Sequence, residues 1–112
     1  REYYQRAIAQ IRSTIAHARF FVFSDDPVWV RQHLLATDTT MVLVDHNSGD
    51  KSFNDMRLMS LADHNIIANS TFSWWGAWLN TNPEKQVVAP RNWFLSPSMD
   101  SSDVCPADWI KL

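Results

Sequence analysis

Hydrophobic positions along the chain follow two different spacings. The first part of the chain repeats apolar residues every three or four positions, as one face of a helix does; these residues are Tyr4, Ile8, Ile11 and Ile15. Four later runs are short and continuously apolar, which is typical of strands buried on both faces; they lie at residues 20–23, 41–44, 66–68 and 86–89. The pattern therefore predicts an opening helix followed by four strands.

Helical patterns also lie between these strands. Asp26 before Pro27 is typical of an N-cap followed by proline at the first helical position, so a second helix should run to about Leu35. Two further helices are predicted, one from about Ser52 through Ala62 and one after the third strand that carries Trp74, Trp75, Trp78 and Leu79. Buried strands that alternate with helices predict an α/β fold, a Rossmann-like parallel sheet of about four strands with helices on both faces.

The composition is that of one compact globular domain. With 112 residues, 46% of them apolar, the chain can bury one core but not two. A net charge of −2 gives no electrostatic basis for binding nucleic acid. The single cysteine, Cys105, excludes an intrachain disulfide framework and is typical of a reducing compartment. No apolar run approaches the roughly 20 residues that span a bilayer, so we expect a bacterial cytoplasmic location, with peripheral attachment to a membrane left open.

Parallel sheets of this type bind ligands beyond the carboxyl ends of their strands. Three polar segments follow predicted strands at that edge, at residues 24–27, 45–50 and 69–73. The last of them leads into the tryptophan-containing helix, whose first N–H groups and positive dipole end favour an anion such as pyrophosphate. The hydroxyls of Ser70, Thr71 and Ser73 would add donors. The simpler alternative is that Ser70 or Thr71 only caps the helix, and the pattern alone leaves both open.

The acidic residues near the other strand ends also have alternative interpretations. Ser52 and Asp55 match a capping pattern, which favours a local role for Asp55, although a carboxylate there could accept hydrogen bonds from the N1–H and 2-amino groups of guanine. Asp25 is a candidate for lining the ligand pocket, whereas Asp26 is assigned to the helix cap. No metal site is predicted, because the histidines and the cysteine lack metal-ligand spacing.

Glycine, histidine and tryptophan positions narrow the chemistry further. With only Gly49 and Gly76, the chain lacks the glycine patterns of dinucleotide-binding and P-loop sites. NAD chemistry and phosphoryl transfer are therefore disfavoured, and no cofactor is predicted. His64 precedes a strand and is expected to be a structural hydrogen-bonding residue. Trp75 and Trp78 lie at helical spacing and are expected in the core.

Several stretches of the chain form longer and more specific motifs. They are F-S-D-D-P-V-W at residues 23–29, D-M-R-L-M-S at 55–60, H-N-I-I-A-N-S-T-F-S-W-W-G-A-W-L-N at 64–80, V-V-A-P at 87–90, W-F at 93–94 and D-W-I-K-L at 108–112. Their order and spacing resemble glycosyltransferase family 11, the α-1,2-fucosyltransferases. The resemblance covers nearly the whole chain.

The resemblance implies a GT-B enzyme that moves L-fucose from GDP-fucose to the 2-hydroxyl of a terminal galactose in a glycan, inverting the anomeric centre without a metal. Residues 1–112 would be a single donor-binding domain of a longer fucosyltransferase with a separate N-terminal domain; the chain also begins at Arg1, without methionine. By this resemblance Asp55 contacts guanine, which reverses the preference given above. The residues expected to bind the donor are Asp25, Asp55, Asn69, Ser70, Thr71, Phe72 and Ser73.

One motif of the family has no counterpart in this chain. The family carries an H-x-R-R-G-D type motif upstream, whose arginine neutralises the β-phosphate as GDP leaves. Without such a group the chain is expected to bind donor weakly and not to catalyse transfer alone, and no catalytic residue is assigned. Two alternatives from other classes are a non-catalytic nucleotide-sugar-binding module and a phosphoacceptor signalling domain. The second would need a lysine where Pro90-Arg91 follows the last predicted strand.

Overall fold

The chain folds into an α/β arrangement of helices and short parallel strands. The computed structural model describes residues 2–24, 26–35, 40–44, 52–68, 70–91 and 106–112. The helices are α1 (Glu2–Thr14), α2 (Pro27–Val30) with its π-helical continuation (Arg31–Leu35), α3 (Ser52–Leu61) and α4 (Thr71–Trp78). The strands are β1 (Phe20–Phe23), β2 (Met41–Val44), β3 (Asn65–Ile66), β4 (Val87–Ala89) and β5 (Ile110–Lys111). The predicted α/β class is confirmed.

All strand pairs among the described residues are parallel, but they form two small sheets. Strands β1 and β2 pair from Phe20 opposite Met41 onward, and the second sheet has the order β3-β4-β5. The sequence predicted one sheet of about four strands and did not predict β5. A turn precedes this strand, with the Trp109 N–H bonded to the Pro106 carbonyl at 3.1 Å. A two-residue strand after it is too short to give an alternating pattern.

Helix α1 covers one face of the three-stranded sheet and runs antiparallel to its strands. Its buried residues, Ala7 and Ile11, pack against Val88 of β4. The Tyr3 hydroxyl lies 3.0 Å from the Val88 carbonyl, whereas the Thr14 hydroxyl accepts from Gln86, at the beginning of β4. The first turn of α1 is therefore at the carboxyl edge of the sheet.

The buried stripe of α1 differs in part from the predicted one. Tyr3, Ala7, Ile11 and Ile15 belong to the core cluster around Val88. Tyr4 and Ile8 were expected on this face, but they lie beside it and are half-buried. Burial raises the pKa of the Tyr4 phenol. A stripe of period four drifts slowly around a helix of 3.6 residues per turn, so both sets of positions fit the pattern in the sequence.

Helix α4 covers the opposite face of the same sheet. Its Ala77 packs against Val87 and Ala89, which alternate with Val88 along β4 and so face the other side. Trp109, which is 5% exposed, completes this cluster beside Ile67. The two clusters together form a core on both faces of the β3-β4-β5 sheet.

The expectation that Trp75 and Trp78 lie in the core is wrong. They are 44% and 51% exposed, and the buried positions of α4 are the small residues Ser73, Gly76 and Ala77. A Cβ atom at Gly76 would stand 3.0 Å from the Cβ of Met59 in α3. Such close contact between α3 and α4 requires a small residue at position 76, and Trp74, not Trp75 or Trp78, packs against the buried cluster of Ala77 and Trp109.

The expectation that every predicted strand is buried on both faces is also wrong. Phe21 of β1 and Val42 of β2 are register partners, and they are 56% and 39% exposed. In contrast, Met41 and Val44 of β2 are buried. An apolar run shows that a strand is hydrophobic, but it does not show which element covers each face.

Two predictions about local hydrogen bonding are confirmed. The Asp26 carboxylate caps α2 by accepting the Trp29 N–H at 3.1 Å, directly before Pro27. His64 is a structural hydrogen-bonding residue, because its Nδ1 accepts the Gln86 N–H at 2.8 Å. The Asp26 bond caps α2, which begins at Pro27 as predicted. The His64 bond joins the residue before β3 to the residue before β4.

Candidate functional site

The junction between β3 and α4 lies at the carboxyl edge of the three-stranded sheet. Ser70 is the N-cap of α4, and its Oγ accepts the Ser73 N–H at 3.1 Å. The Trp74 N–H bonds to the Ser70 carbonyl at 3.0 Å and begins the helical ladder. The structure therefore confirms that Ser70 caps the helix. A capped helix N-terminus can still bind an anion through its other N–H groups.

Two backbone N–H groups of this turn remain open. Neither the Thr71 N–H nor the Phe72 N–H has a hydrogen-bond partner among the residues that the structure describes. Both residues are exposed, Phe72 by 37% of its surface. Unpaired N–H groups at a helix N-terminus, together with the positive end of the helix dipole, form an environment that favours an anion. The oxygens of one bound anion could accept hydrogen bonds from both N–H groups at once.

The Ser73 side chain has a different environment from its neighbours. Its Oγ lies 2.7 Å from the Ser70 Oγ and 3.1 Å from the Ala68 carbonyl, and the residue is 9% exposed. The hydroxyl therefore serves the internal geometry of the turn, joining the helix to the end of β3. Thr71 and Phe72, in contrast, are exposed, and their N–H groups have no partner among the described residues.

The last ladder position between β3 and β4 is completed by Tyr3 of α1. The Asn65 and Ile67 N–H groups bond to the Gln86 and Val88 carbonyls at 3.0 and 2.9 Å. In a parallel ladder the next bond would run from the N–H of residue 90 to the Ile67 carbonyl. Residue 90 is a proline, which has no N–H. The Tyr3 hydroxyl donates to that carbonyl instead, at 2.6 Å.

The other end of α4 is held by a polar network at the amino edge of the sheet. The Asn80 side-chain amide donates to the Ala62 carbonyl and to the Asn65 Oδ1, both at 2.8 Å. The Lys85 Nζ donates to the Ala77 and Asn80 carbonyls at 3.0 and 2.8 Å. A cation on the last carbonyls of a helix complements its dipole. Both ends of α4 are thus fixed, which sets the direction of its N-terminus.

The remaining predicted site residues are placed only in part. Asp55 lies in the first turn of α3 and is half-buried, and α3 packs along α4. The Ser52 side chain, on which its capping alternative depends, lies outside the described part of the chain, and so do Asp25, Asn69 and residues 45–50. The contact of Asp55 with guanine stays a prediction.

The described residues contain neither a metal-binding cluster nor a membrane-spanning helix. Within the described ranges, no three His, Cys, Asp or Glu side chains come together in a group that could hold a metal ion. No helix in the described part of the chain combines the length and the apolar character needed to cross a bilayer.

Comparison with known proteins identifies the family. The family model described as glycosyl transferase family 11 matches residues 1–112. This chain belongs to glycosyltransferase family 11. Membership argues against the phosphoacceptor signalling domain considered above and confirms the resemblance found in the motifs. No solved structure gives a significant match to the chain.

Relatives of this family 11 chain include bacterial and mammalian glycosyltransferases. An O-antigen biosynthesis glycosyltransferase, WbnK, from Escherichia coli is 41% identical over 99% of the chain and 36% of the relative. An alpha-1,2-colitosyltransferase from Escherichia coli is 37% identical over 98% of the chain and 38% of the relative. A galactoside 2-alpha-L-fucosyltransferase, Sec1, from Mus musculus is 27% identical over 70% of the chain and 22% of the relative. The chain therefore spans less than two fifths of the length of the two bacterial relatives.

Sequence reasoning about this family 11 chain missed the contribution of Tyr3. Tyr3 lies 64 residues from Ile67, and no local motif connects the two. The available signal was Pro90, because a proline that ends a central parallel strand leaves one carbonyl of the neighbouring strand without its ladder donor. A nearby hydroxyl or amide side chain is then needed for that carbonyl.

Proposed function

We propose that this chain is the donor-binding part of an α-1,2-fucosyltransferase, which transfers L-fucose from GDP-fucose to the 2-hydroxyl of a terminal galactose. Family membership supports glycosyl transfer from an activated sugar. The name of the mouse relative, a galactoside 2-alpha-L-fucosyltransferase, supports fucose as the sugar and galactose as the acceptor. The longer relatives agree with a protein in which another part supplies the acceptor site.

The observation that carries the proposal is the pair of open N–H groups at the start of α4. Thr71 and Phe72 present them at the carboxyl edge of a parallel sheet, where ligands of such sheets bind. A diphosphate carries the negative charge and the acceptor oxygens that this environment favours. Ser70, Thr71, Phe72 and Ser73 are proposed as the diphosphate-binding turn, with Ser70 and Ser73 holding its shape. Asn69 and Asp25 are proposed to line the same pocket.

The two sheets are proposed to be parts of one Rossmann-like sheet in the order β2-β1-β3-β4-β5. Phe20 of β1 and Ile66 of β3 belong to one core cluster, around Ala7, Ile11 and Val88. That arrangement supports β1 as the neighbour of β3, with α1 covering both. The polar segments that follow β1, β2 and β3 would then line a single edge, as in the donor-binding half of a GT-B glycosyltransferase.

The proposed chemistry is a direct displacement at the anomeric carbon of fucose. The acceptor hydroxyl forms the new bond to that carbon while the bond to the phosphate oxygen breaks, and GDP leaves with the bonding electron pair. The hydroxyl proton goes to a base outside this chain. The Thr71 and Phe72 N–H groups would stabilise the negative charge that develops on the departing diphosphate. No metal is assigned to this step.

The proposed contact between Asp55 and guanine predicts a base-selective loss of affinity. Changing Asp55→Ala removes the acceptor for N1–H and the 2-amino group, so the dissociation constant for GDP should rise about tenfold or more, as for loss of a hydrogen bond to a charged group. UDP, which lacks those two donors in that arrangement, should change far less. Isothermal titration with both nucleotides measures the two effects.

The matched control for this variant is Asp63→Ala. Asp63 carries the same charge and lies exposed just beyond the other end of α3, so its loss should leave both affinities unchanged. Equal weakening of GDP and UDP by Asp55→Ala would contradict base recognition and indicate a general electrostatic or folding effect.

The name of one relative supports a second candidate for the sugar that is transferred. The 37% identity with an alpha-1,2-colitosyltransferase supports colitose, a 3-deoxy relative of fucose, as the alternative sugar. Transfer assays of the complete protein with each GDP-sugar and a galactose-terminated acceptor separate the two. Product from GDP-fucose supports the main proposal, and product from GDP-colitose alone supports the second.

A further inference from the structure

We infer that Tyr3 is a positioning residue for the donor site, because its hydroxyl fixes the strand end from which the chain enters α4. The inference rests on the proposed function, since it concerns the turn to which the diphosphate is assigned. Tyr3 itself belongs to α1 and lies on the α1 side of the sheet, away from α4. It would therefore act on the ligand only through the backbone to which its hydroxyl bonds, at the end of β3.

The geometry of the hydroxyl defines its role. It lies 2.6 Å from the Ile67 carbonyl and 3.0 Å from the Val88 carbonyl. A phenol has one hydrogen to donate, and the Val88 carbonyl already accepts the Ile67 N–H at 2.9 Å. The shorter contact, to Ile67, is therefore the bond that replaces a missing partner, because Pro90 cannot supply the ladder N–H at this position.

Loss of the Tyr3 hydroxyl would leave the Ile67 carbonyl without a hydrogen-bond donor at a buried position. Ile67 is completely buried, so water could not easily take the place of the hydroxyl. A buried carbonyl without a donor is unfavourable, and the backbone around it would rotate towards another partner. Ile67 precedes the N-cap Ser70 by three residues, so such a rotation would occur at the start of the proposed site.

Ile67 and Ala68, the two residues that follow β3, are contacted from both sides of the sheet. Tyr3 of α1 bonds to the Ile67 carbonyl, and the Ser73 Oγ of α4 lies 3.1 Å from the next carbonyl, that of Ala68, and 3.1 Å from the Ser70 carbonyl. Two successive peptide groups are thus fixed by two different helices. This double attachment sets the direction in which the Thr71 and Phe72 N–H groups point, and a diphosphate requires both to be aligned.

The test compares Tyr3→Phe with Tyr4→Phe. Both changes remove one phenolic oxygen from a half-buried tyrosine of the same helical turn, and only the Tyr3 hydroxyl contacts the sheet carbonyls among the described residues. Tyr3→Phe should weaken GDP about threefold to tenfold, the range expected when one hydrogen bond no longer holds a binding group. Guanosine lacks phosphates, so its affinity should not change. Tyr4→Phe should change neither affinity.

Hydrogen exchange gives a readout that does not depend on nucleotide binding. The Ser73 and Trp74 amides are protected by bonds to Ser70, and in Tyr3→Phe they should exchange faster relative to the amides in the middle of α1. Tyr4→Phe should leave that ratio as in the wild type. This measurement tests the positioning role even in a chain to which GDP binds too weakly to titrate.

The outcomes separate this inference from the proposed function. A complete protein that binds no GDP at any accessible concentration, but shows selective exchange in Tyr3→Phe, contradicts the proposed function and keeps the positioning role. Binding of GDP that is equally strong in wild type and Tyr3→Phe overturns the inference and keeps the function. Uniformly faster exchange across the chain, or parallel loss of GDP and guanosine affinity, also overturns it, because both indicate a merely structural role.

Discussion

At the scale of single residues, small side chains and exact hydrogen-bond partners determine how α4 is placed. Gly76 allows α4 to approach Met59 of α3, with 3.0 Å between the Met59 Cβ and the position that a Gly76 Cβ would occupy. The same helix is capped by Ser70 at one end and by Lys85 at the other. These contacts give α4 one position against α3 and the sheet.

Replacing Gly76→Ala tests whether this close approach is required. Alanine is favoured over glycine in an open helix by about 1 kcal/mol, so at an uncrowded site the change would stabilise the protein. Here the added methyl group meets a Cβ atom, which moves only with the backbone of α3, and overpacking of this kind costs about 1–3 kcal/mol. Chemical denaturation should therefore give a lower free energy of unfolding. A higher free energy of unfolding than wild type would contradict the packing described for α3 and α4.

At the scale of elements, the sequence predicts where α4 is but not which of its sides is buried. Its existence and its N-terminal turn follow from local signals, namely a short apolar run, a serine at the cap position and helical spacing of apolar residues. The buried side depends on what packs against it. Because Met59 and the sheet come so close, Ser73, Gly76 and Ala77 face inward and the indole of Trp75 is directed outward.

Alanine substitutions at two tryptophans test this assignment of sides. Trp109→Ala removes a 5%-exposed ring from the cluster of Ile67, Val87 and Ala89, so the free energy of unfolding should fall by about 3–5 kcal/mol. Trp75→Ala is the control, since Trp75 is 44% exposed, and its loss should be about 1 kcal/mol or less. Urea denaturation of both variants measures the difference. An equal decrease in the free energy of unfolding for both variants would indicate that Trp75 is buried in the core, and would contradict the orientation of α4.

At the scale of the whole molecule, the alternation of strand and helix patterns was enough to predict the α/β class with parallel strands. It was not enough to predict the strand partners. Strand β5 is two residues long, and Tyr3 reaches Ile67 across 64 positions of sequence. Both features depend on contacts between distant parts of the chain, which local periodicity does not encode.

The candidate site shows the same division between local and distant information. The cap at Ser70 and the polar segment after β3 can be read directly from the sequence. That the Ser73 hydroxyl turns inward to the Ala68 carbonyl could not be predicted, because either orientation satisfies the pattern. The open N–H groups of Thr71 and Phe72 emerge only when the partners of the whole turn are known.

The central claim is that a diphosphate binds where β3 leads into α4. Its most direct test is a titration of the ¹⁵N-labelled chain with GDP, followed by the chemical shifts of the backbone amides. The account predicts the largest shift changes at Thr71 and Phe72, saturating with GDP and much smaller with guanosine. Saturable binding with those two amides unmoved and the changes clustered at another part of the chain would contradict it.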